Sequence, residues 1–101
     1  RHTMFDLPAL EDAAALVHAA FPPTPQHAWP LLAARTGAEV WVKHENHTPT
    51  GAFKVRGGVT YMRALTRDRP HVRGVISATR GNHGQSLAWA GARAGVPVTI
   101  V

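Results

Sequence analysis

The feature that most constrains the fold is an alternation of strand and helix patterns along the second half of the chain. Residues 39–45 alternate Val and His with Trp, Lys and Glu, as a half-buried strand does. Two further strands are predicted at 72–77 and 97–101, and apolar stripes at helical spacing cover 53–67 and 83–94. Short connections between such elements predict an α/β layered fold with a parallel sheet and right-handed crossovers.

The first third of the chain is predicted to be helical. Asp6 precedes a proline in the first turn of a helix whose apolar residues recur over 7–20. The proline-rich stretch 21–25 ends that helix, because proline lacks the amide donor and restricts the residue before it. A second short helix is predicted over 27–36, ending at a glycine.

Composition excludes several classes of protein. The 101 residues are 45% hydrophobic and 17% charged, which is typical of a globular protein rather than a disordered one. Zero cysteines exclude a disulfide framework and thiolate sites in this segment and fit a reducing compartment, so we expect a cytoplasmic protein. The apolar strand pattern at 97–101 has no closing turn, and an unpaired strand there would be unfavourable. We therefore expect a fragment of a longer chain.

The formal charge of +5 raises the possibility of nucleic-acid binding. The densest basic cluster comprises Arg63, Arg67, Arg69 and Arg73, at the predicted end of a helix. Cations there interact favourably with the helix dipole, so a structural role is favoured. A non-catalytic basic binding module remains an alternative.

The first loop whose residues could carry out chemistry spans 46–56 and reads NHTPTGAFKVR. In α/β sheets, ligands bind beyond the carboxyl ends of strands, where loops lead into helices. Lys54 is predicted in a first helical turn, where the positive potential makes a lysine easier to deprotonate, as a carbonyl-trapping amine or a base must be. Gly57 and Gly58 cost about 1 kcal/mol each in a helix, which close approach of a ligand or backbone would explain. A solvated lysine at a frayed helix end is the alternative.

The second loop is 77–85, which reads SATRGNHGQ between a strand and a helix. It matches neither the dinucleotide nor the P-loop fingerprint. Backbone amides at a helix start, with hydroxyls from Ser77 and Thr79, suit a small anion such as a carboxylate. Asn82 adds a side-chain amide that can donate and accept. An ordinary N-cap turn is the alternative.

Other candidate sites are weaker. His44, Glu45 and His47 do not match a zinc-binding HExxH, and neighbours on a strand point to opposite faces, so we interpret them as supporting residues and predict no metal site. Ser86 lacks an adjacent base and the GxSxG context of a hydrolase nucleophile.

Four motifs together resemble a known family. They are TP at 24–25, VKHE at 42–45, TGAFKVRGG at 50–58 and SATRGNHGQ at 77–85. In this order they resemble the N-terminal part of the threonine dehydratase (threonine ammonia-lyase) family, whose members are pyridoxal-phosphate enzymes of the type II, tryptophan synthase β-like fold. The resemblance implies that residues 1–101 are the N-terminal portion of such an enzyme domain, with pyridoxal 5'-phosphate as cofactor.

The resemblance also implies roles for particular residues. Lys54 is similar to the catalytic lysine that forms a Schiff base with the cofactor, Phe53 to the residue beside the pyridine ring, and Asn82 to the side chain that contacts the cofactor's 3-hydroxyl oxygen. The loop that holds the substrate carboxylate corresponds to Thr79, Arg80, Gly81, Asn82 and His83. Ala52 and Gly84 depart from the Ser and Ala of many members, and the change at Gly84 is expected to matter little beyond backbone flexibility.

The implied activity is deamination of threonine or serine to a 2-oxo acid and ammonia by β-elimination of water. Serine or threonine racemases, threonine synthase and β-replacing enzymes share the lysine and the asparagine loop, so they remain alternatives. The family's phosphate-binding loop is expected beyond Val101, so the isolated chain is expected to be inactive. An amino-acid substrate, a homo-oligomeric assembly, and no nucleic-acid or membrane partner are also expected.

Overall fold

The computed structural model describes residues 4–101. Its α-helices are α1 (Leu7–Ala20), α2 (Pro30–Thr36), α3 (Val55–Asp68) and α4 (Asn82–Ala94). Its strands are β1 (Gln26–Ala28), β2 (Trp41–Lys43), β3 (Val75–Ser77) and β4 (Val98–Ile100), and a short 3-10 helix covers Glu45–His47. In this described range, no helix is long and apolar enough to cross a membrane.

Helix α1 has the predicted bounds. Asp6 is its N-cap and accepts a hydrogen bond on Oδ1 from the Ala9 amide at 2.9 Å, which satisfies one of the free donors of the first turn. The helix ends at Phe21, whose extended backbone is favoured by the proline that follows. Val17 and Phe21 are buried, so α1 packs on the core through its C-terminal half.

The prediction of a helix over 27–36 is wrong for residues 27–29. Residues 26–28 form β1, which pairs antiparallel with β2, so that Ala28 lies opposite Trp41. Helix α2 begins only at Pro30, where the missing amide costs no hydrogen bond. It ends as predicted at Gly37, which has a left-handed φ of 69°.

The parallel pairing is confirmed for two of the three predicted strands. β3 and β4 run parallel, with Val75 opposite Val98 and Ser77 opposite Ile100. β2 belongs instead to a separate two-stranded sheet, so its predicted place in the parallel sheet is wrong. Its partner is the three-residue strand β1 upstream, and the backbone amide of Trp29 also donates to the Val40 carbonyl at 3.2 Å.

The core lies where α3 packs against α4, with α1 across them. Its buried apolar side chains are those of Val17, Phe21, Val55, Val59, Met62, Leu87, Ala90 and Val96. Gly58 on α3 and Gly91 on α4 are buried at positions where a side chain would meet the neighbouring segment. This close packing of α3 on α4 fixes the two helices whose first turns carry the two chemically promising loops.

Candidate functional site

Lys54 is the N-cap of α3, directly before the first helical residue, and not inside the first helical turn as predicted. Its side chain is exposed, and its Nζ lies 5.6 Å from the centroid of the Phe53 ring, within the range of a cation–π contact. Phe53 is itself 61% exposed. The amine and the aromatic face are therefore both available to a bound molecule.

A cavity of about 430 Å³ opens beside Lys54. Its lining includes Lys54, Gly57 and Tyr61 from the first loop and helix α3, and Ser77 and His83 from the second loop and helix α4. The structure therefore brings residues of both predicted loops to one cavity, which the sequence could suggest only through the expected sheet topology.

The turn before Lys54 is held by a residue that sequence reasoning missed. The hydroxyl of Thr48 accepts from the Ala52 amide at 3.0 Å and donates to the Ala52 carbonyl at 2.6 Å, and Thr48 is only 6% exposed. Gly51 lies inside this turn with a φ of 73°, a conformation that favours glycine. The TPTG sequence around Pro49 was the available signal for a turn, but it did not identify the hydroxyl that closes it.

An ion pair ties the start of α3 to the segment after β2. Arg56 bonds Glu45 through Nε and, at 3.0 Å, through Nη2, and the Thr24 hydroxyl donates to the same carboxylate at 2.6 Å. The hydrogen bond from Arg56 holds the pKa of Glu45 down at about 2, although burial opposes the shift. The pKa of Arg56 is raised by the same hydrogen bond. Glu45 is therefore a supporting residue, as interpreted from the sequence, and it joins three of the four motifs.

The second loop is closed by Thr79. Its Oγ1 accepts from the amides of Gly81 and Gly84, each at 3.1 Å, so the hydroxyl caps the start of α4. The Gln85 amide donates to the Gly81 carbonyl. The backbone amides of Asn82 and His83, in contrast, have no acceptor among residues 4–101. Two amides at the first turn of α4 are thus free to bind an anion.

The expectation that Gly84 matters little is wrong in this structure. Gly84 is buried, and a Cβ there would lie 2.6 Å from Cγ2 of Thr79 and 3.3 Å from Cγ2 of Ile100. An alanine would therefore press on the residue whose hydroxyl caps the loop.

The predicted carboxylate-binding residues do not all face the Lys54 cavity. Thr79 and Gly81 line a separate cavity of about 310 Å³ beside Ile100, while Arg80 and Asn82 are exposed. His83 shares the cavity of Lys54. The structure therefore brings Lys54 and His83 to one cavity, whereas Thr79, Arg80, Gly81 and Asn82 are not in its lining.

Histidines near β2 form an aromatic cluster rather than a metal centre. The indole Nε1 of Trp29 donates to Nε2 of His44 at 3.0 Å, and the His27 and His47 rings pack against that of His44 at centroid distances of 5.7 and 6.2 Å. Within the described part of the chain, no group of three or more His, Cys, Asp or Glu is placed to hold a metal ion. His44 is thus engaged in a structural contact.

Comparison with known proteins identifies the family. The family described as "Pyridoxal-phosphate dependent enzyme" matches residues 17–101, which is most of the chain. The chain belongs to the pyridoxal-phosphate dependent enzyme family. The resemblance found in the four motifs is confirmed, and members of this family use pyridoxal phosphate.

This family member is similar to threonine ammonia-lyases and to an amino-acid racemase. An L-threonine ammonia-lyase of Thermotoga maritima is 41% identical over 71 residues, which are 70% of this chain and 18% of that protein. A pyridoxal 5'-phosphate-dependent aspartate racemase structure has a TM-score of 0.90 at 29% identity, over 99% of this chain and 32% of its own. A solved threonine deaminase structure has a TM-score of 0.78 at 29% identity, over 93% of this chain and 33% of its own. The chain thus spans less than a fifth of the length of that Thermotoga relative, and the type II fold is confirmed.

The residues of this family member fit pyridoxal phosphate as far as the chain extends. The cofactor's aldehyde requires a primary amine, and Lys54 presents one at the cavity. Gly57 lines the same cavity, and a Cβ placed on it would meet no atom within 4 Å, so the space beside the lysine is open. Phe53 offers an exposed aromatic ring next to the amine. Donor chemistry and space are therefore both present.

Proposed function

We propose that the protein carrying this chain deaminates threonine or serine to a 2-oxo acid and ammonia. The observation that carries the proposal is the shared cavity of Lys54 and His83, which joins the amine to the anion-binding loop. The identity of 41% with an L-threonine ammonia-lyase supports a substrate of that class. The net change is loss of the α-hydrogen and the β-hydroxyl as water, after which a water molecule releases ammonia from the resulting enamine.

Lys54 has two roles in this proposal. It binds pyridoxal phosphate covalently, and as a free amine it takes the α-proton of the substrate at Nζ. When bound, the cofactor supplies an electron sink for the charge left at the α-carbon. The exposed position of Lys54 beside an open cavity allows its side chain to alternate between these tasks.

The second loop orients the substrate. The amides of Asn82 and His83 bind the carboxylate at the start of α4, where the helix dipole favours an anion. Among residues 4–101 the Thr79 hydroxyl only accepts, from Gly81 and Gly84, so its hydrogen is available to donate to a bound molecule. The side chain of Asn82 is exposed and would help to hold the cofactor through a hydrogen bond to its 3-hydroxyl oxygen. Fixing the carboxylate in this way sets which bond at the α-carbon is aligned for cleavage.

An amino-acid racemase is the second candidate. The aspartate racemase structure has a TM-score of 0.90 over nearly the whole chain, a closer likeness than that of the threonine deaminase at 0.78. Both activities begin with removal of the α-proton, and they differ in whether a proton returns or a β-substituent leaves. A racemase requires a proton donor on the opposite face of the substrate from Lys54.

The test uses the whole protein and its Lys54→Ala variant. We expect a visible absorbance band of lysine-linked cofactor in the wild type, absent from the variant, and release of ammonia and 2-oxo acid from threonine or serine. A band without ammonia, together with formation of the opposite amino-acid enantiomer, would establish the racemase instead. A wild type that shows no Lys54-dependent band would contradict both candidates.

We further propose that residues 1–101 are the N-terminal portion of the enzyme domain and that the remaining cofactor contacts lie outside this chain. The chain covers 18% of the Thermotoga relative and 33% of the threonine deaminase structure, which leaves room for them. A cytoplasmic location and a homo-oligomeric assembly stay predictions.

A further inference from the structure

Ser86 connects the helix of the second loop to the backbone of Lys54. It lies on α4, is 1% exposed, and donates a hydrogen bond from Oγ to the Lys54 carbonyl at 2.8 Å. Lys54 and Ser86 are 32 residues apart in sequence, so this is a long-range contact between two helices. It is also a direct bond between the segment that carries the proposed catalytic amine and the segment that carries the proposed carboxylate loop.

The surrounding packing permits this bond only because residue 58 is glycine. A Cβ on Gly58 would lie 2.9 Å from the Ser86 carbonyl oxygen and closer still to Ser86 Oγ. Helix α4 can therefore approach the first turn of α3 closely enough for a short side chain to reach the Lys54 carbonyl. Gly58 and Ser86 thus form one contact, in which the absence of one side chain makes room for the other.

The hydroxyl is not needed to satisfy the Lys54 carbonyl. That oxygen also accepts the helical hydrogen bond from the Gly58 amide at 3.1 Å, so removal of the hydroxyl leaves no unpaired buried acceptor. The hydrogen bond from Ser86 instead constrains the orientation of the Lys54 carbonyl. It fixes the plane of the peptide that follows Lys54 relative to α4, at the residue where α3 begins.

We propose that Ser86 is a positioning residue for Lys54. It holds the backbone from which the Lys54 side chain reaches the cavity at a set distance from His83, three residues earlier on the same helix as Ser86. The inference rests on the function proposed above, because it assigns Ser86 a part in keeping the amine in register with a substrate held by the loop. Small errors in such positioning reduce the rate of a proton transfer more than they reduce binding.

The decisive variant is Ser86→Ala in the whole protein, because it deletes only the hydroxyl at a helical position. We expect kcat to fall about tenfold while KM changes by less than about twofold, since the loop and cavity that bind the substrate are unaltered. The visible band of lysine-linked cofactor is expected to persist, because Lys54 keeps its amine. A kcat equal to that of the wild type would overturn the proposal.

Thr66→Val is the matched control. Thr66 also lies on α3 and donates its hydroxyl to a backbone carbonyl, that of Met62 at 2.9 Å, but does not touch Lys54. We expect the kcat of Thr66→Val to match that of the wild type, even where its unfolding midpoint changes as much as that of Ser86→Ala. An equal fall of kcat in both variants would show a general effect of stability and overturn the positioning role. If Ser86→Ala does not fold, Ser86→Cys takes its place: its thiol is only a weak donor, so we expect a smaller fall of kcat at unchanged KM, and a kcat equal to that of the wild type would overturn the proposal.

Failure of the underlying function has a different signature. A wild type without a Lys54-dependent visible band refutes the proposed function and the positioning role with it. A wild type that has the band and releases ammonia, with an unaffected Ser86→Ala variant, refutes the role of Ser86 alone.

Discussion

Gly57 and Gly58 are adjacent in α3 but are predicted to respond in opposite directions to the same substitution. A Cβ on Gly57 meets nothing within 4 Å, whereas a Cβ on Gly58 would lie 2.9 Å from the Ser86 carbonyl oxygen and 3.2 Å from its carbonyl carbon. Both of these neighbours are backbone atoms of α4, so the contact at Gly58 is relieved only by moving a helix. The pair therefore isolates packing from helix propensity at almost the same place in the chain.

The magnitudes follow from two opposing effects. Replacing glycine by alanine in a helix stabilises it by up to about 1 kcal/mol, and this applies equally at both positions. Overpacking a close contact costs about 1 to 3 kcal/mol, and this applies only at Gly58. Gly57→Ala should therefore raise the free energy of unfolding by up to about 1 kcal/mol, and Gly58→Ala should lower it by up to about 2 kcal/mol.

The assay is urea unfolding of the whole protein followed by far-ultraviolet circular dichroism, with the two variants and wild type measured side by side. The transition midpoint is expected to rise for Gly57→Ala and to fall for Gly58→Ala. Midpoints that shift in the same direction would refute the reasoning. Two rises would show that α3 and α4 are not in the close contact described, and two falls would show that a side chain at Gly57 is not in open space. Gly57 lines the Lys54 cavity, so activity is not the readout for this pair.

Three further predictions concern single contacts. Glu45→Gln should lower the free energy of unfolding by about 1 to 2 kcal/mol at neutral pH, because it weakens the bond to Arg56. In the wild type this contribution is present above about pH 4.5 and is lost as the pH falls towards about 2, so the difference between the pH profiles of wild-type and variant unfolding should disappear over that range. Gly84→Ala should displace Thr79 and destabilise by about 1 to 2 kcal/mol, with a loss of amide-exchange protection at the start of α4. Asp6→Ala should cost about 1 kcal/mol of unfolding free energy through loss of the α1 cap.

Local chemistry made the helix ends predictable. Asp6 and Gly37 act on the backbone within a turn of themselves, and Asp6 begins and Gly37 ends a helix where the sequence indicated. Strand β1 was not predictable in the same way. Its three residues, 26–28, carry no periodic pattern, and they are a strand only because β2 pairs with them from 13 to 17 residues further along the chain.

The candidate site shows the same division between local and long-range information. Lys54 and the loop 77–85 could be singled out because a lysine at a helix start and a run of amides are chemically suggestive within their own segments. Ser86 could be read only as a hydrolase nucleophile and rejected, since its partner is a carbonyl group far away in sequence. The unexplained Gly58 was the one available signal, because a glycine inside a helix indicates close approach without naming the neighbour.

The supporting contacts also explain why the motifs occur as a set. Glu45 in the second motif bonds Arg56 in the third and Thr24 in the first. Ser86, directly after the fourth motif, bonds Lys54 in the third. Lys54 therefore sits between two anchors, one through Arg56 two residues later and one through its own carbonyl, while its side chain stays exposed. A fixed backbone with an exposed amine is what a residue needs if it must both hold a cofactor and carry a proton.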